Sequence, residues 1–599
     1  MKKILTSLFL ASTLLTGSAQ GWPASYGGVM LQGFYWDSFI DTKWSKLESQ
    51  ADELAHYFDL IWIPNSGYCA DYNNMGYMPL YYFNQNSTFG TEAELRSMIA
   101  TFKEKGLGTV ADVVINHHNT IGWFSFPTET YNGVTYQLQS TDICKNDDGG
   151  ATLAQANKEG VSLSANNDTG EGWDGCRDLD HQSDNVNKIV KAYLHFLLND
   201  LGYTGFRYDM VKGYSASCTA DYNTTSKPTF SVGECWDNST TIKNWVNGTK
   251  VSGVPTSSAF DFQFRYRVRD AINTSDWRKL ADNTDDAAGR PLAYDSNYRQ
   301  FAVTFVENHD TERRANAEQD PLKKDTLAAN AYLLAMPGTP CVFYKHWKTC
   351  RRDIKLMIEA RKLVGIHNQS TFEQQQSTNL FHATKVNGTR GSLIVAVGKN
   401  TSIYTPPSGY TEVLSGQGYR YFVSTALASQ WNAIERRVNA EEEQHNQFTP
   451  YTATVYLKAD FTPVYFYIWD SNNNTQLNGN WPGKQPSTTT INGETWHCQT
   501  VNITSPDYYF NIIFNQGSGK PQTDNIEGII TDRYYTATLS GGKVQYTDVT
   551  ATVAISSPTA PHGHNHSERA AIYDLMGRKI VAPHQGQIYI QNGKKFIQQ

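Results

Sequence analysis

Charge is scarce in this chain. Of its 599 residues only 18% are Asp, Glu, Lys or Arg, against roughly a quarter in an ordinary soluble protein. The 51 basic and 58 acidic side chains leave a net charge of −7, so the basic excess that a polyanionic nucleic acid demands is missing. Cysteine is scarce as well: eight residues in all, too few for a disulfide scaffold. Cys144 with Cys176 and Cys341 with Cys350 could pair in an exported chain, or the thiols could be buried and free. No CxxC pair and no Cys/His spacing of a zinc site occurs, and NDDGG at 146–150 lacks the spacing of an EF-hand loop. Beyond the first twenty residues no apolar run is long and apolar enough to cross a bilayer, which takes about 20 residues.

Aromatic side chains, by contrast, are plentiful: 35 Tyr, 27 Phe and 14 Trp make up 13% of the chain. That supply excludes whole-chain disorder, and a mildly acidic, Tyr- and Trp-rich surface suits neutral, flat-faced ligands such as sugar rings. The first twenty residues read as an export signal: a basic MKK, an apolar ILTSLFLASTLLTG and a small-residue SAQ cleavage site. No Cys follows the apolar stretch, so lipid attachment there is not expected.

From residue 27 to about 365, short β-branched runs alternate with helix-period segments. The runs fall at 29–36, 59–64, 108–118, 205–210, 229–235, 257–263, 301–310 and 339–344. Eight strands alternating with helices predict an α/β fold, a closed (β/α)8 TIM barrel. After the third strand a Gly-, Asn- and Asp-rich stretch predicts an inserted subdomain at about 117–183. A small antiparallel β domain is expected at 366–431, a polar helical or flexible connector at 432–450 and a second all-β unit at 451–550. A Pro/Ser/His linker at 551–568 precedes a short β tail at 569–599.

Barrel enzymes carry their chemistry where the strands end. Here strand three ends in Asn116–His117, strand four in Arg207-x-Asp209, strand five in Glu234, and strand seven in Glu307-Asn308-His309-Asp310. Alternate residues of a strand share a face, so Arg207 and Asp209 point the same way, and the guanidinium should favour an ionised Asp209. Glu234 follows the apolar SVG, where burial would keep it protonated, as a general acid requires. Two carboxyls with opposed roles, beside sugar-friendly aromatics, predict retaining glycoside hydrolysis.

The segments DVVINH (112–117), GFRYDMVKG (205–213), VGEC (232–235) and FVENHD (305–310) resemble the four signature segments of the α-amylase family, glycoside hydrolase family 13, in the family's order. MLQGFYWD, MGYMPLYYFN and GTPCVFYKHW extend the likeness, which covers roughly residues 26–365 and is greatest to plant-like and bacterial α-amylases. The resemblance implies Asp209 as nucleophile, Glu234 as acid/base and Asp310 as the third carboxylate. It implies Arg207, His117, His309 and Lys212 as substrate-binding residues, with Tyr77 stacking on the ring being cleaved; Cys235, after the acid/base, has no functional explanation. It also implies Ca2+ between insert and barrel, held by Asn116, Asp178 and the Gly213 carbonyl, with Asp174 and Asp180 as weaker candidates. Hard oxygen donors suit that ion.

In the second β unit, VYFYIWD places Tyr465, Tyr467 and Trp469 on one strand face, with Trp481 in the loop that follows and amides at 514–525. The unit resembles a family 26 starch-binding module, implying Tyr467, Trp469 and Trp481 as glucose-stacking residues. The tail resembles a Bacteroidetes-type C-terminal sorting domain. Together these imply an exported, monomeric endo-acting α-amylase, secreted or at the surface of a Gram-negative bacterium. It would cleave internal α-1,4 bonds of starch and maltooligosaccharides with retention. A glucanotransferase or debranching enzyme on the same scaffold is the alternative, and an inert starch-binding surface protein is disfavoured because all three carboxylates are present.

Overall fold

The computed structural model describes residues 23–550 apart from 70–73, 174, 315–318, 447, 449, 471–474 and 506–507, together with Val553 and four short strands between 572 and 597. The export-signal reading of 1–20, most of the linker and tail, and the candidate Asp174 therefore lie outside the described residues. No described helix is long and apolar enough to cross a membrane. The chain divides into two compact units, Met1–Thr449 and Pro450–Gln599.

The first unit is built on the predicted barrel. Its strands are β1 (Met30–Gln32), β2 (Leu60–Trp62), β3 (Gly108–Val113), β4 (Gly205–Tyr208), β5 (Phe230–Gly233), β6 (Ser258–Phe260), β7 (Ala302–Thr304) and β8 (Thr339–Phe343). All neighbours pair in parallel and β8 closes on β1. Nearly every strand residue is buried, which is why these runs are continuously apolar rather than alternating. The helices between them start on local signals: α1 (Glu92–Glu104) on a capping box of Thr91 and Glu94, and α2 (Asp184–His195) on the Ser183 hydroxyl. The insert after β3 holds a ribbon pairing His117–His118 with Arg177–Asp178, a hairpin at 129–136 and a helix at Ala151–Glu159.

Helix α3 (Thr326–Ala335) reads TLAANAYLLA, apolar on all sides, because it lies between the barrel and a five-stranded antiparallel sheet. That sheet consists of β9 (Thr371–Ser377), β10 (Phe381–Asn387), β11 (Ser392–Gly398), β12 (Tyr410–Gly416) and β13 (Tyr419–Ser424). Helix α4 (Arg351–Val364) packs against α5 (Trp431–Asn446), so the polar connector takes its helical form. The ammonium of Lys355, 2% exposed, is held by Glu53, Glu442 and Glu441 at 2.6, 2.8 and 3.5 Å.

Within the second unit, residues 451–548 form a two-sheet sandwich, and the four short strands of the tail form a separate antiparallel sheet. A five-stranded sheet contains β14 (Tyr451–Ala459), β16 (Ser487–Ile491), β17 (Glu494–Ile503), β20 (Arg533–Ser540) and β21 (Lys543–Asp548). A three-stranded sheet holds β15 (Tyr465–Asp470), β18 (Phe510–Asn515) and β19 (Ile526–Ile529).

Neither of the two disulfides weighed from sequence forms: Cys144, Cys176, Cys341 and Cys350 are all thiols. Cys341 is buried within β8, whereas Cys350 sits at the start of α4 against the Thr349 hydroxyl. Cys144 and Cys176 are each buried as small apolar side chains, with burial the largest influence raising both thiol pKa values.

Candidate active site

The strand ends converge on one guanidinium. Arg207, from β4, is 1% exposed and donates to Asp112 at 2.7 Å and to Asp209 at 2.6 Å, while its second nitrogen lies 3.0 Å from Glu234. Register produces this cluster. Asp112 on β3 is paired directly with Arg207 on β4, and Asp209 follows two residues on, on the same face. Glu234 arrives from the end of β5, beside β4.

Burial is the largest influence on Glu234 and raises its pKa to about 8, with Asp209 and Asp310 adding to the rise and Arg207 opposing it. The Met210 backbone N–H donates to Glu234 Oε2 at 3.1 Å. Met210 reaches that position in the left-handed region, φ +44° and ψ +51°, a conformation costly for a residue with this side chain and typical of functional sites. Asp112 is likewise raised by burial, to about 6, against the pull of Arg207.

Strand seven supplies the opposite wall. His309 Nε2 lies 3.1 Å from Asp310 Oδ2 and 2.7 Å from the Tyr77 hydroxyl. Tyr77 in turn donates to Asp112 at 2.9 Å. Burial raises Asp310, while Arg207 and Arg314 lower it. His117 donates from Nε2 to the Tyr77 carbonyl at 2.9 Å, and the Trp173 ring packs 4.3 Å from it. Asp209, Glu234, Asp310, Arg207, His309, His117 and Tyr77 are thus linked through one contact network. Lys212 stands at the rim, its ammonium shared by Glu171 at 2.9 Å and Asp237 at 3.0 Å.

Four further residues belong to this network. Asp112 lies inside a quoted segment, but its role depends on the β3–β4 register. Gln32, at the end of β1, places its amide nitrogen 2.9 Å from His309 Nδ1. Trp36 stacks parallel to both Tyr77 and His309. Arg314 lies 4.0 Å over Trp36 and donates to the His309 carbonyl at 2.5 Å. Gln32 and Trp36 also lie inside a quoted segment, MLQGFYWD, but their contacts with His309 depend on closing the barrel; no quoted segment contains Arg314.

Among the described residues no three His, Cys, Asp or Glu side chains gather as a metal-binding group. The proposed calcium donors nonetheless meet. Asn116 Nδ2 is 3.4 Å from Asp178 Oδ1, and a Cβ on Gly213 would stand 1.8 Å from Asn116 Oδ1, so only glycine leaves room for that amide. Burial, then Asp147 and Asp168, pushes Asp178 up to about 8. Asp168 Oδ2 and Asp148 Oδ1 are buried without hydrogen-bond partners. A crowded, under-satisfied set of hard oxygens fits a hard cation. Asp180 does not share this freedom: Ser164, Asn166 and the Gln182 N–H occupy its carboxylate at 2.6, 2.9 and 2.9 Å.

In the second unit, Phe466 and Ile468 point into the sandwich and Tyr465, Tyr467 and Trp469 away from it. Tyr467 lies 5.4 Å from Trp469 and meets Trp481 edge to face at 5.0 Å. Trp481 is 43% exposed. Its loop runs along β15 because Gly483 adopts φ +88°, where a Cβ would stand 1.9 Å from the Phe466 carbonyl.

Residues 57–347 match the family described as α-amylase, catalytic domain. The chain is 28% identical over 418 residues to probable α-amylase 2 of Arabidopsis thaliana, covering 66% of this chain and 93% of that protein. Over 446 residues it is 26% identical to glucan 1,4-α-maltotetraohydrolase of Stutzerimonas stutzeri, covering 66% and 74%. Over 420 residues it is 27% identical to α-amylase of Bacillus licheniformis, covering 60% and 78%. With its eight-stranded parallel barrel and its cluster of carboxyls on one arginine, the region 57–347 matches the catalytic domain of the α-amylase family of glycoside hydrolases.

Proposed function

We propose that the protein is an exported, endo-acting α-amylase that hydrolyses internal α-1,4 bonds of starch and maltooligosaccharides with retention. The observation that carries this reading is the pair of carboxyls bridged by Arg207: Asp209 at 2.6 Å and Glu234 at 3.0 Å. Arg207 faces Asp209 as an ion-pair partner, which suits a nucleophile. Glu234, lifted to about 8, holds a proton at neutral pH for the departing glycosidic oxygen. Once the leaving sugar has gone, the same carboxyl can take a proton from an incoming water and release the glycosyl group from Asp209. Retention needs the two carboxyls about 5–5.5 Å apart, and a shared guanidinium is consistent with that closer spacing. Asp310, His309 and His117 would hold sugar hydroxyls, Lys212 would bind at the rim, and Tyr77 would stack on the ring.

Asn116, Asp178 and the Gly213 carbonyl, joined by Asp168, would hold Ca2+, whose charge would offset the crowded carboxylates and tie the insert to the barrel. Tyr467, Trp469 and Trp481 would present stacking faces to glucose units, making the second unit a starch-binding module. The domain limits read from sequence and a monomeric state accompany this proposal. So does delivery to the outside or surface of a Gram-negative cell, through the N-terminal signal and sorting tail.

Product analysis on maltoheptaose tests the assignment. Shorter products alone, first appearing as α-anomers by NMR, are expected. Longer products would indicate a glucanotransferase, and β-anomers would indicate inversion.

A further inference from the structure

The buried polar chain Gln32–His309–Tyr77–Asp112 admits one arrangement of protons. Asp112, ionised at neutral pH, can only accept, and it does so from Arg207 at 2.7 Å, Trp62 Nε1 at 3.1 Å and Tyr77 at 2.9 Å. Tyr77 has a single hydroxyl proton, and Asp112 takes it. The 2.7 Å contact between Tyr77 and His309 Nε2 must therefore be donated by the imidazole. The same Nε2–H faces a second acceptor, Asp310 Oδ2, at 3.1 Å. Burial first, and then Arg207 and Arg314, push His309 well below the usual histidine range against the pull of Asp209. The ring is accordingly neutral and carries one proton. With that proton on Nε2, Nδ1 is a bare acceptor, and the group 2.9 Å from it is the side-chain amide nitrogen of Gln32.

We propose that Gln32 is a positioning residue for the reaction: its amide N–H donates to His309 Nδ1 and locks the ring as the Nε2–H tautomer. In that form the single Nε2–H of His309 is available as a donor at the cleavage point, to Tyr77 and Asp310 in the free site or to a sugar hydroxyl that displaces them. The proposal rests on the reading of this rim as the catalytic site. Gln32 is 1% exposed and belongs to β1, the strand that closes the barrel against β8. The tautomer is therefore set from the scaffold rather than from a loop. A glutamine supplies what the position needs, a donor without charge. An ionised carboxylate there would only accept, drawing a proton onto Nδ1, and an apolar side chain would leave Nδ1 unpaired in a dry site.

The wild-type tautomer can be read without any activity measurement. In full-length protein labelled with 15N-histidine, the His309 ring signals are assigned by their loss in His309→Asn. A protonated Nε2 and bare Nδ1 are expected, and a protonated Nδ1 would overturn the proposal. Kinetics supply the second arm. Gln32→Met should lower kcat about tenfold at every pH, the rate equivalent of one hydrogen bond, with a smaller change in KM. Gln32→Glu should behave differently, because a neutral carboxylic acid can donate to Nδ1 and a carboxylate cannot. Its activity should approach wild type at low pH and fall away as the new group ionises. Asp112, Asp209, Asp310, Arg207 and Arg314, which face the ring, are the same in all three proteins. A Gln32→Glu profile of wild-type shape, or wild-type kcat in Gln32→Met, would also overturn the proposal. If instead Glu234→Gln proved fully active, the catalytic-site reading would fail while the wild-type tautomer result stood.

Discussion

Glu234 and Asp209 share one arginine yet are suited to opposite tasks, and the difference lies in what surrounds each. Asp209 contacts the guanidinium at 2.6 Å. For Glu234, desolvation and the neighbouring Asp209 and Asp310 outweigh the attraction of Arg207, leaving its pKa near 8. A general acid works only while protonated, so activity should hold below that value and decline as pH rises through about 8. An alkaline limb of kcat/KM centred there checks the assignment. Glu234→Gln should cost at least about 10²-fold in kcat by deleting proton transfer, and should flatten that limb while leaving oligosaccharide binding largely intact. Near-normal turnover would exclude Glu234 as the acid.

At the scale of elements, the insert extends the barrel and gathers like charges. Asp147, Asp148, Asp168 and Asp178 crowd one region, and Arg177 pairs with only the first two. A bound cation would convert that repulsion into folding energy. Exhaustive chelation should therefore lower the melting temperature and activity together, and calcium should restore both. Unchanged melting and activity would remove Ca2+ from the proposal. Helix α5 makes a different claim on stability. Lys355, 2% exposed, depends on Glu441 and Glu442 of that helix and on Glu53 of the barrel. Stripping partners from a buried charge costs about 3–5 kcal/mol. A chain ending at 430 should thus melt several degrees below one ending at 449, and equal melting temperatures would show that α5 is not part of the catalytic unit's core.

For the whole molecule, the proposed function assigns chemistry to the first compact unit, Met1–Thr449, and attachment to the second, Pro450–Gln599. A binding module tethered to a catalyst raises its effective concentration at a multivalent surface without altering the active site. Removing 450–599 should cut activity on granular starch and spare activity on short maltooligosaccharides. Trp469→Ala with Trp481→Ala should mimic that loss, since the double variant takes away an exposed indole and its neighbour across Tyr467. Equal retention of full-length, truncated and doubly substituted protein on insoluble starch would show that the second unit does not bind it.

By itself the amino-acid sequence determined the barrel, because eight apolar runs and the helices between them are local patterns whose periods report burial directly. It also determined which polar residues end the strands, hence Asp209, Glu234, Asp310, Arg207 and both rim histidines. The tertiary structure alone decided how those residues are wired. That Asp112 faces Arg207 follows from strand register, and that Gln32 reaches His309, 277 residues on, follows from closing β1 into the barrel. The helical connector and the absence of a Cys144–Cys176 or Cys341–Cys350 bridge were equally undecided in one dimension. Whether a polar helix docks, or two thiols meet, depends on a distance between elements, and no local spacing carries that information.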